Sequence, residues 1–320
     1  MANLVLILSP AHDIHALAVS REIQRLGFFP WIVDLTTYPL HFDLSAEFTD
    51  STELRFVDGD GAAKCSTDIC SIWRRRVGQP QISDELTLDT DREIASQDSR
   101  DAVVGMSSTF ESLGGLVVNS GVAESSARNK QFQLSQAVAL GIPIPKTLIT
   151  NSPEAAQSFS QELDNRGVRV VYKCFTSPKT MLVPTKFVRH EDQPRFRLLR
   201  NCPAIFQEYI IGRDLRITVV GKSVFSAEIV HSSEAGDVDW RVDPRHRTVP
   251  FQLDRSHSET ILALMDRLNL VYGALDCKLE PDGRLVFLEV NPAGQYLFVE
   301  IEAGHPISAA LAGVLCGVAE

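Results

Sequence analysis

Residues 276–295, DCKLEPDGRLVFLEVNPAGQ, constrain this chain more than any other stretch. Two apolar-rich segments of strand character flank Pro281, Asp282 and Gly283, a turn sequence. Side chains alternate along a strand, so Glu289 and Asn291 leave the same face. A two-residue loop sets Asp276 opposite Phe287 and diagonal to Glu289, within reach of a shared ion. Two carboxylates and an amide oxygen are hard ligands of the kind that suits Mg²⁺, which also takes phosphate oxygens and water. The plainer alternative is a hairpin carrying its charges on a wet face.

A chain of 320 residues has room for two or three domains and an ample core. Its 31 basic and 41 acidic residues leave a net charge of −10. That argues against general nucleic-acid binding, which needs a basic face, and leaves room for a local basic pocket. The six cysteines form no CxxC pair and accompany no histidine pattern, so free thiols in a reducing cytoplasm are expected. The short apolar run at the N-terminus reads as a first strand. No run approaches the roughly 18 apolar residues of a membrane span.

Periodicity divides the chain into three blocks. In residues 1–120, a buried strand at 4–8, a helix at 12–26 with Leu17, Ile23 and Leu26 as core positions, and a strand at 31–35 make a βαβ beginning. A polar loop (78–91), a helix (92–113) and a strand (116–119) follow. In residues 121–203, a helix is expected over 125–140, with Ala127, Leu134 and Val138 on one stripe. Ser152 caps a helix opening at Pro153 that buries Phe159 and Leu163, and a strand over 168–173 precedes a loop carrying Lys179. In residues 204–320, Leu215, Ile217 and Val219 alternate with Arg216 and Thr218, which puts Arg216 on the opposite face. A strand over 223–230, a helix near 258–268, the acidic hairpin and a last apolar helix over 307–318 complete an α/β chain with an α+β C-terminal part.

No GxxxxGK[ST] and no GxGxxG after a strand is present, so neither a Walker ATPase nor a Rossmann reader is supported. Instead there is an ordered series of dispersed elements. Asn129-Lys130 opens a helix, and Lys173 ends a strand. Phe206, Gln207, Glu208, Tyr209 and Ile210 form a strand whose backbone suits a planar base, and Asp214 and Arg216 follow before the hairpin. In this order, over roughly residues 115–310, the chain resembles the ATP-grasp superfamily. The resemblance implies a pre-ATP-grasp α/β domain, a small central lid domain and a catalytic domain. It implies that Lys130 and Lys173 contact ATP phosphates, that Gln207, Glu208, Tyr209 and Ile210 hold adenine, and that Asp214 contacts ribose. Asp276, Glu289 and Asn291 would hold two Mg²⁺ ions. Phosphoryl transfer needs little beyond such positioned cations. A surface role for either lysine alone is the plainer alternative.

Trp73-Arg74-Arg75-Arg76 and the run from Asn291 through Gln295, Glu300 and Glu302 to Ile307 look like signatures of the graspetide ligases, the microviridin-type peptide maturases. That resemblance implies an enzyme joining Asp or Glu side chains of a ribosomal precursor peptide, made of a leader and an acidic core, to Ser/Thr hydroxyls or Lys amines. It implies a cytoplasmic homodimer, Arg74, Arg75 and Arg76 as contacts to substrate acids, and Arg216 beside the acceptor carboxylate and acyl phosphate. A sheet-surface arginine paired with Asp214 or Glu228 is the alternative for Arg216. Arg74 stands where an aromatic often precedes two arginines, and Ala293 where the loop is often more polar. The rivals are a ligase adding an amino acid to a small molecule or protein tail, and a non-catalytic nucleotide-binding regulator. His12 and His15 flank Asp13, for which a helix N-cap is simpler than a metal site. His231, Glu234, Asp237 and Asp239 form a polar stretch that suits either a peptide site or a solvated loop.

Overall fold

The apolar N-terminal runs form a four-stranded parallel sheet in the order Phe29–Val33, Leu4–Leu8, Ile69–Arg74, Leu116–Val118. The computed structural model describes residues 2–176, 181, 183–232 and 238–318; Lys179, Glu234 and Asp237 lie outside the described residues. Leu4–Leu8 is apolar throughout because both its faces are covered. Val5 and Ile7 pack with the helix Ile14–Arg25, while Leu6 and Leu8 pack with the long helix Asp89–Ser112. Strand order reverses between Leu4–Leu8 and Ile69–Arg74, and the crevice beyond the carboxyl ends at such a point is where open α/β sheets take ligands. Asp13 and Arg74–Arg76 lie there. A three-stranded antiparallel ribbon, Asp43–Phe48, Thr52–Val57 and Ala63–Cys65, joins this domain and was not foreseen.

Two core assignments change. The helix Ile14–Arg25 buries His15, Ala16, Val19, Ser20 and Ile23, a stripe of mainly small residues, and leaves Leu17 43% and Leu26 42% exposed. The helix expected over 125–140 is two, Gly121–Ala127 and Lys130–Ala139. The chain breaks at Asn129, whose Oδ1 accepts from Phe132 N at 3.1 Å and caps the second helix. That helix buries Leu134 and Ala137 and turns Val138 to solvent, 59% exposed.

The second sheet is antiparallel, ordered Lys186–Phe187, Val170–Lys173, Ala204–Glu208, Thr147–Thr150. It has its own core, built from Phe206 and from Phe159 and Leu163 of the helix Pro153–Asp164. Ser152 caps that helix, accepting from Ala155 N at 3.2 Å. Ala204–Glu208 thus pairs within the central sheet although it opens the third block in sequence.

The third sheet is antiparallel and five-stranded: Arg247–Pro250, Ser223–Val230, Arg213–Val220, Tyr272–Leu279, Leu285–Asn291. Leu215, Ile217 and Val219 face a core with the helices Gly121–Ala127, Lys130–Ala139 and Arg255–Arg267. The opposite face is not wet. Val220, Ala227 and Tyr272 share a core with the helix Ile307–Cys316, which also packs on Ile14–Arg25. Ile307 and Leu311 are fully buried there, each contributing about 1.5–3 kcal/mol, so one helix ties the first and last domains together. All six cysteines are unpaired, and no helix among the described residues is long and apolar enough to cross a membrane.

Candidate active site

The acidic hairpin closes differently from the simplest two-residue loop. Pro281, Asp282 and Gly283 form a three-residue loop, with Glu280 N donating to Arg284 O at 3.0 Å and Gly283 in the left-handed region at φ +89°. Farther on, Leu288 bulges out, so Cys277 faces Phe287 while Asp276 faces Glu289 directly. Loop and bulge each insert one residue. The register moves by two, which preserves the shared face and brings the two carboxylates opposite each other. Asn291, opposite Ala274, lies one step beyond, its Oδ1 accepting from Ala293 N at 3.0 Å.

Each acid has a cationic partner from another element. Lys130, first residue of its helix, donates to Glu289 Oε2, and Lys173 Nζ, at the end of a central-sheet strand, lies 3.7 Å from the same oxygen. Burial works to raise the Glu289 carboxyl, but the ammonium groups of Lys173 and Lys130 outweigh it and hold the group well below the usual carboxylate range. Burial lowers the Lys173 ammonium, and Glu289 opposes that shift. Arg216 stands directly across from Asp276 in the neighbouring strand and donates from Nη1 to Asp276 Oδ1 at 2.9 Å. Its Nη2 donates to Gln295 O at 3.0 Å. Neither alternative partner takes it: Asp214 accepts from Lys278 Nζ at 2.7 Å, and Glu228 pairs with Arg213. Burial raises the Asp214 carboxyl, with Lys278 opposing.

Lys130, Lys173, Asp214, Asp276 and Glu289 all line one cavity of about 330 Å³ between the central and five-stranded sheets. Gln207, Glu208, Tyr209 and Ile210 are not among its described lining residues. Gln207 Nε2 donates to Thr147 Oγ1 at 3.0 Å, Glu208 accepts from Lys146 N at 3.0 Å, and Tyr209 N donates to Arg169 O at 2.9 Å. The segment is thereby pinned to the central sheet. The Tyr209 ring lies 6.0 Å from Lys278 Nζ, which links it to Asp214.

A second cavity, of about 1020 Å³, opens over the carboxyl edge of the parallel sheet and shares Lys130 and Glu289 with the first. Arg74, Arg75 and Arg76 all line it, but in three different states. Arg74 donates to Ser107 Oγ at 3.0 Å and pairs with Glu124 at 3.4 Å. Arg75, only 2% exposed, pairs with Asp13 at 3.4 Å and donates to Ala293 O at 2.7 Å. Arg76 is half-exposed, its Nε 3.4 Å from Asp13 Oδ2.

Sequence reasoning found Asp13 only as a cap. It does cap its helix, accepting from His15 N and Ala16 N, and it also anchors two arginines. Burial would raise its carboxyl, but His15, Arg75 and the backbone donors hold it far below the ordinary range. His15 is buried, and desolvation lowers its pKa; Nε2 accepts from Tyr296 N at 3.3 Å, so it belongs to the packing of the loop beyond Asn291 rather than to a metal site. That loop is gripped along its length. Pro292 O accepts from Asn119, Ala293 O from Arg75, Gly294 O from the Tyr272 hydroxyl at 2.7 Å, and Gln295 O from Arg216. Asn119 carried no sequence signal beyond its place at a strand end. Arg241, which lines the smaller cavity, was likewise missed.

The donor set fits Mg²⁺. Two facing carboxylates and an amide are too few for a complete protein cage, and no group of three His, Cys, Asp or Glu side chains among the described residues forms one. Mg²⁺ binds in this way, through one or two carboxylates completed by water and phosphate.

A cleft with lysines entering from one antiparallel sheet and helix, and facing carboxylates from a second sheet, defines an ATP-grasp ligase, a class that uses ATP and Mg²⁺. The chain belongs to the RimK-like ATP-grasp domain family, whose model matches residues 127–315; residues 4–121 match the MvdD pre-ATP grasp domain. The macrocyclase MdnC of Microcystis aeruginosa MRC, solved with precursor peptide MdnA, is 29% identical with a TM-score of 0.86, over 98% of this chain and 99% of that one. A RiPP-associated ATP-grasp ligase from Chryseobacterium gregarium, solved with ADP and a leader and core peptide, is 27% identical with a TM-score of 0.87, over 99% and 98% of the two chains. A probable alpha-L-glutamate ligase from Enterobacter sp. (strain 638) is 29% identical over 62% of this chain and 67% of its own length.

Proposed function

We propose that this ligase is a peptide macrocyclase. It phosphorylates Asp or Glu side chains of a ribosomally made precursor and joins them to Ser or Thr hydroxyls, giving esters, or to Lys amines, giving amides. The observation that carries the reading is the meeting of the two cavities at Lys130 and Glu289. A nucleotide in the smaller one and a peptide carboxylate in the larger, arginine-lined one approach each other at those residues.

In this reading Lys130 and Lys173 exchange Glu289 for ATP phosphates, Asp214 lies towards ribose, and Gln207–Ile210 border adenine. Asp276, Glu289 and Asn291 would hold two Mg²⁺ ions, which when bound neutralise charge on the β- and γ-phosphates. The substrate carboxylate attacks the γ-phosphorus, ADP leaves, and an acyl phosphate forms. Arg216, fixed between Asp276 and Gln295 O, orients that carboxylate and offsets charge in the tetrahedral intermediate. The hydroxyl or amine of the same peptide then attacks the acyl carbon, loses its proton and expels phosphate, so proximity supplies much of the rate. Arg76, the exposed member of its trio, contacts substrate acids, whereas Arg74 and Arg75 frame the cavity. A leader docked elsewhere raises the effective concentration of the core. A cytoplasmic homodimer belongs to the same reading.

The likeness to a glutamate ligase supports a second reading, intermolecular addition of an amino acid. Mass spectrometry separates the two. Purified protein with ATP, Mg²⁺ and short acidic, Thr- or Ser-containing peptides encoded in neighbouring reading frames should give products lighter by whole water units, with the bridges located by fragmentation. A mass increase without dehydration would overturn macrocyclisation in favour of amino-acid addition.

A further inference from the structure

Residues 292–295 carry no charged side chain, yet each carbonyl oxygen of this loop accepts from a side chain of another element. Asn119 and Arg75 follow the last two strands of the parallel sheet, whereas Tyr272 and Arg216 belong to the five-stranded sheet. The loop faces two ways. Pro292 and Ala293 line the larger cavity, and Gln295 O holds Nη2 of Arg216 at 3.0 Å. Arg216 has one other bonded partner, Asp276, and its buried Nε has none among the described residues. Asp276 also belongs to the proposed metal set, so the Gln295 carbonyl is the partner of Arg216 that lies outside that set.

Two features decide where that carbonyl falls. Gly294 lies so close to the sheet that a Cβ on it would stand 2.5 Å from Ala274 Cβ and 3.0 Å from Arg216 Nη2. Only a residue without a side chain allows that approach. Tyr272 meets the loop at the same residue. Its hydroxyl donates to Gly294 O at 2.7 Å, one peptide before the carbonyl that holds Arg216, while Arg75 Nη1 reaches the same oxygen only at 3.3 Å. Burial raises the Tyr272 phenol, which keeps it a donor. Asn119 fixes the backbone of Tyr272 with all four of its bonding positions. Its Oδ1 accepts from Val271 N at 2.8 Å and Tyr272 N at 2.9 Å, and its Nδ2 donates to Tyr272 O at 2.8 Å and Pro292 O at 2.9 Å. Core packing with the last helix accounts for the Tyr272 ring; among the described residues the hydroxyl's one bond is to the loop.

We propose that Tyr272 is a positioning residue for acyl transfer: its bond to Gly294 O sets the next carbonyl, which orients the Arg216 guanidinium at the reacting carboxyl group, and the missing side chain of Gly294 makes room for both. The Tyr272 hydroxyl keeps its proton throughout and acts only through Arg216. This rests on the reading of the chain as a macrocyclase that uses Arg216 at the tetrahedral intermediate. Displacing a catalytic group by about 1 Å can cost on the order of a hundredfold in rate, so a hold two residues removed from the chemistry is felt there.

Tyr272→Phe tests it, because it removes one oxygen and keeps the ring. The assay uses the neighbouring-frame peptide that the wild-type protein dehydrates, at saturating MgATP. The kcat for ring closure should fall about three- to tenfold, the range of one neutral hydrogen bond, with peptide KM and affinity for the analogue AMPPNP held within about twofold. Placed on Arg216→Lys, which keeps the charge but loses the edge that Gln295 O holds, the same change should cost less than about twofold more in single-turnover reactions with enzyme in excess. Gly294→Ala, which pushes on Arg216 from the other side, should show the same split with a larger fall in kcat, and it carries the test if Tyr272→Phe does not fold. A folded Tyr272→Phe protein with kcat within about twofold of wild type, or with kcat and AMPPNP affinity lost alike, would overturn the positioning role and leave the macrocyclase reading standing. So would an undiminished cost on the Arg216→Lys background. Absence of any dehydrated product from the wild-type protein would instead overturn the macrocyclase reading, and this inference with it.

Discussion

The lysines of the smaller cavity and Arg74 and Arg75 of the larger are held in opposite ways. In the smaller one, Lys130 and Lys173 converge on a single carboxylate, Glu289. An ammonium is a point charge on a flexible stem and changes anions without rebuilding its surroundings. In the larger one, Arg74 is held by Glu124 and Ser107, and Arg75 by Asp13 and Ala293 O. A planar guanidinium bonded on several sides keeps its orientation. The contrast separates charges that can be handed to an arriving phosphate from charges built into a wall.

The most severe way to break the exchangeable side is Glu289→Gln. Metal-assisted charge neutralisation supplies several kcal/mol to phosphoryl transfer, so turnover should fall by about a thousandfold or more. ADP release with MgATP and peptide measures it, with circular dichroism as the check on folding. A rate within tenfold of wild type would move the exchangeable anion elsewhere.

Asp13→Asn tests the built-in side. Asp13 and Arg75 are both buried, and removing one partner of a buried pair costs about 3–5 kcal/mol. The Asp13 carboxyl is depressed from its ordinary value of 3.8 in the folded protein. Its contribution is therefore fully present above pH 3.8 and is lost as pH falls below that towards the folded value. Urea melts of wild type and variant should differ most near pH 7 and converge in acid. A gap independent of pH would show that the ion pair is not its source.

The smallest effect sharpens the comparison within the arginine trio. Arg76→Ala removes a half-exposed, solvent-screened pair, so stability should change by no more than about 1 kcal/mol. Peptide KM should rise about two- to fivefold, the equivalent of one such screened contact, with kcat held. A fall in kcat with KM unchanged would place Arg76 in the chemistry instead.

What was legible in the sequence was local. Alternation put Glu289 and Asn291 on one face, and the Ser152–Pro153 cap is a contiguous signal. The order of the lysines, the Phe206–Ile210 segment and the acids pointed to the ATP-grasp fold. The bulge at Leu288 was not legible, because a bulge depends on what packs on the strand rather than on a turn residue. Val138 was misplaced because a helix break at Asn129 rotates the stripe after it. Asn119 and the second role of Asp13 depend on partners tens to hundreds of residues away, and Arg241, whose bonded partner Asp239 is local, gains its place only from cavity neighbours such as Lys173 and Glu289. The face that carries Arg216, for which a sheet-surface arginine was the plainer alternative, is partly covered by the last helix of the chain, and Arg216 is buried.

That last helix bears on how the chain can be rebuilt. Ile307–Cys316 completes the covering of the N-terminal parallel sheet, and Leu315 O accepts from the Ser71 hydroxyl at 2.7 Å. The N-terminal domain is continuous in sequence except for one helix, which lies beside Ile14–Arg25 on the same face of the sheet and is supplied from the other end of the polypeptide. A chimaera that exchanges residues 1–120 alone would seat a foreign sheet on a helix shaped for another. A graft that carries residues 296–318 along with it keeps both halves of that contact native to each other, and the seam then falls in the strands and loops between them.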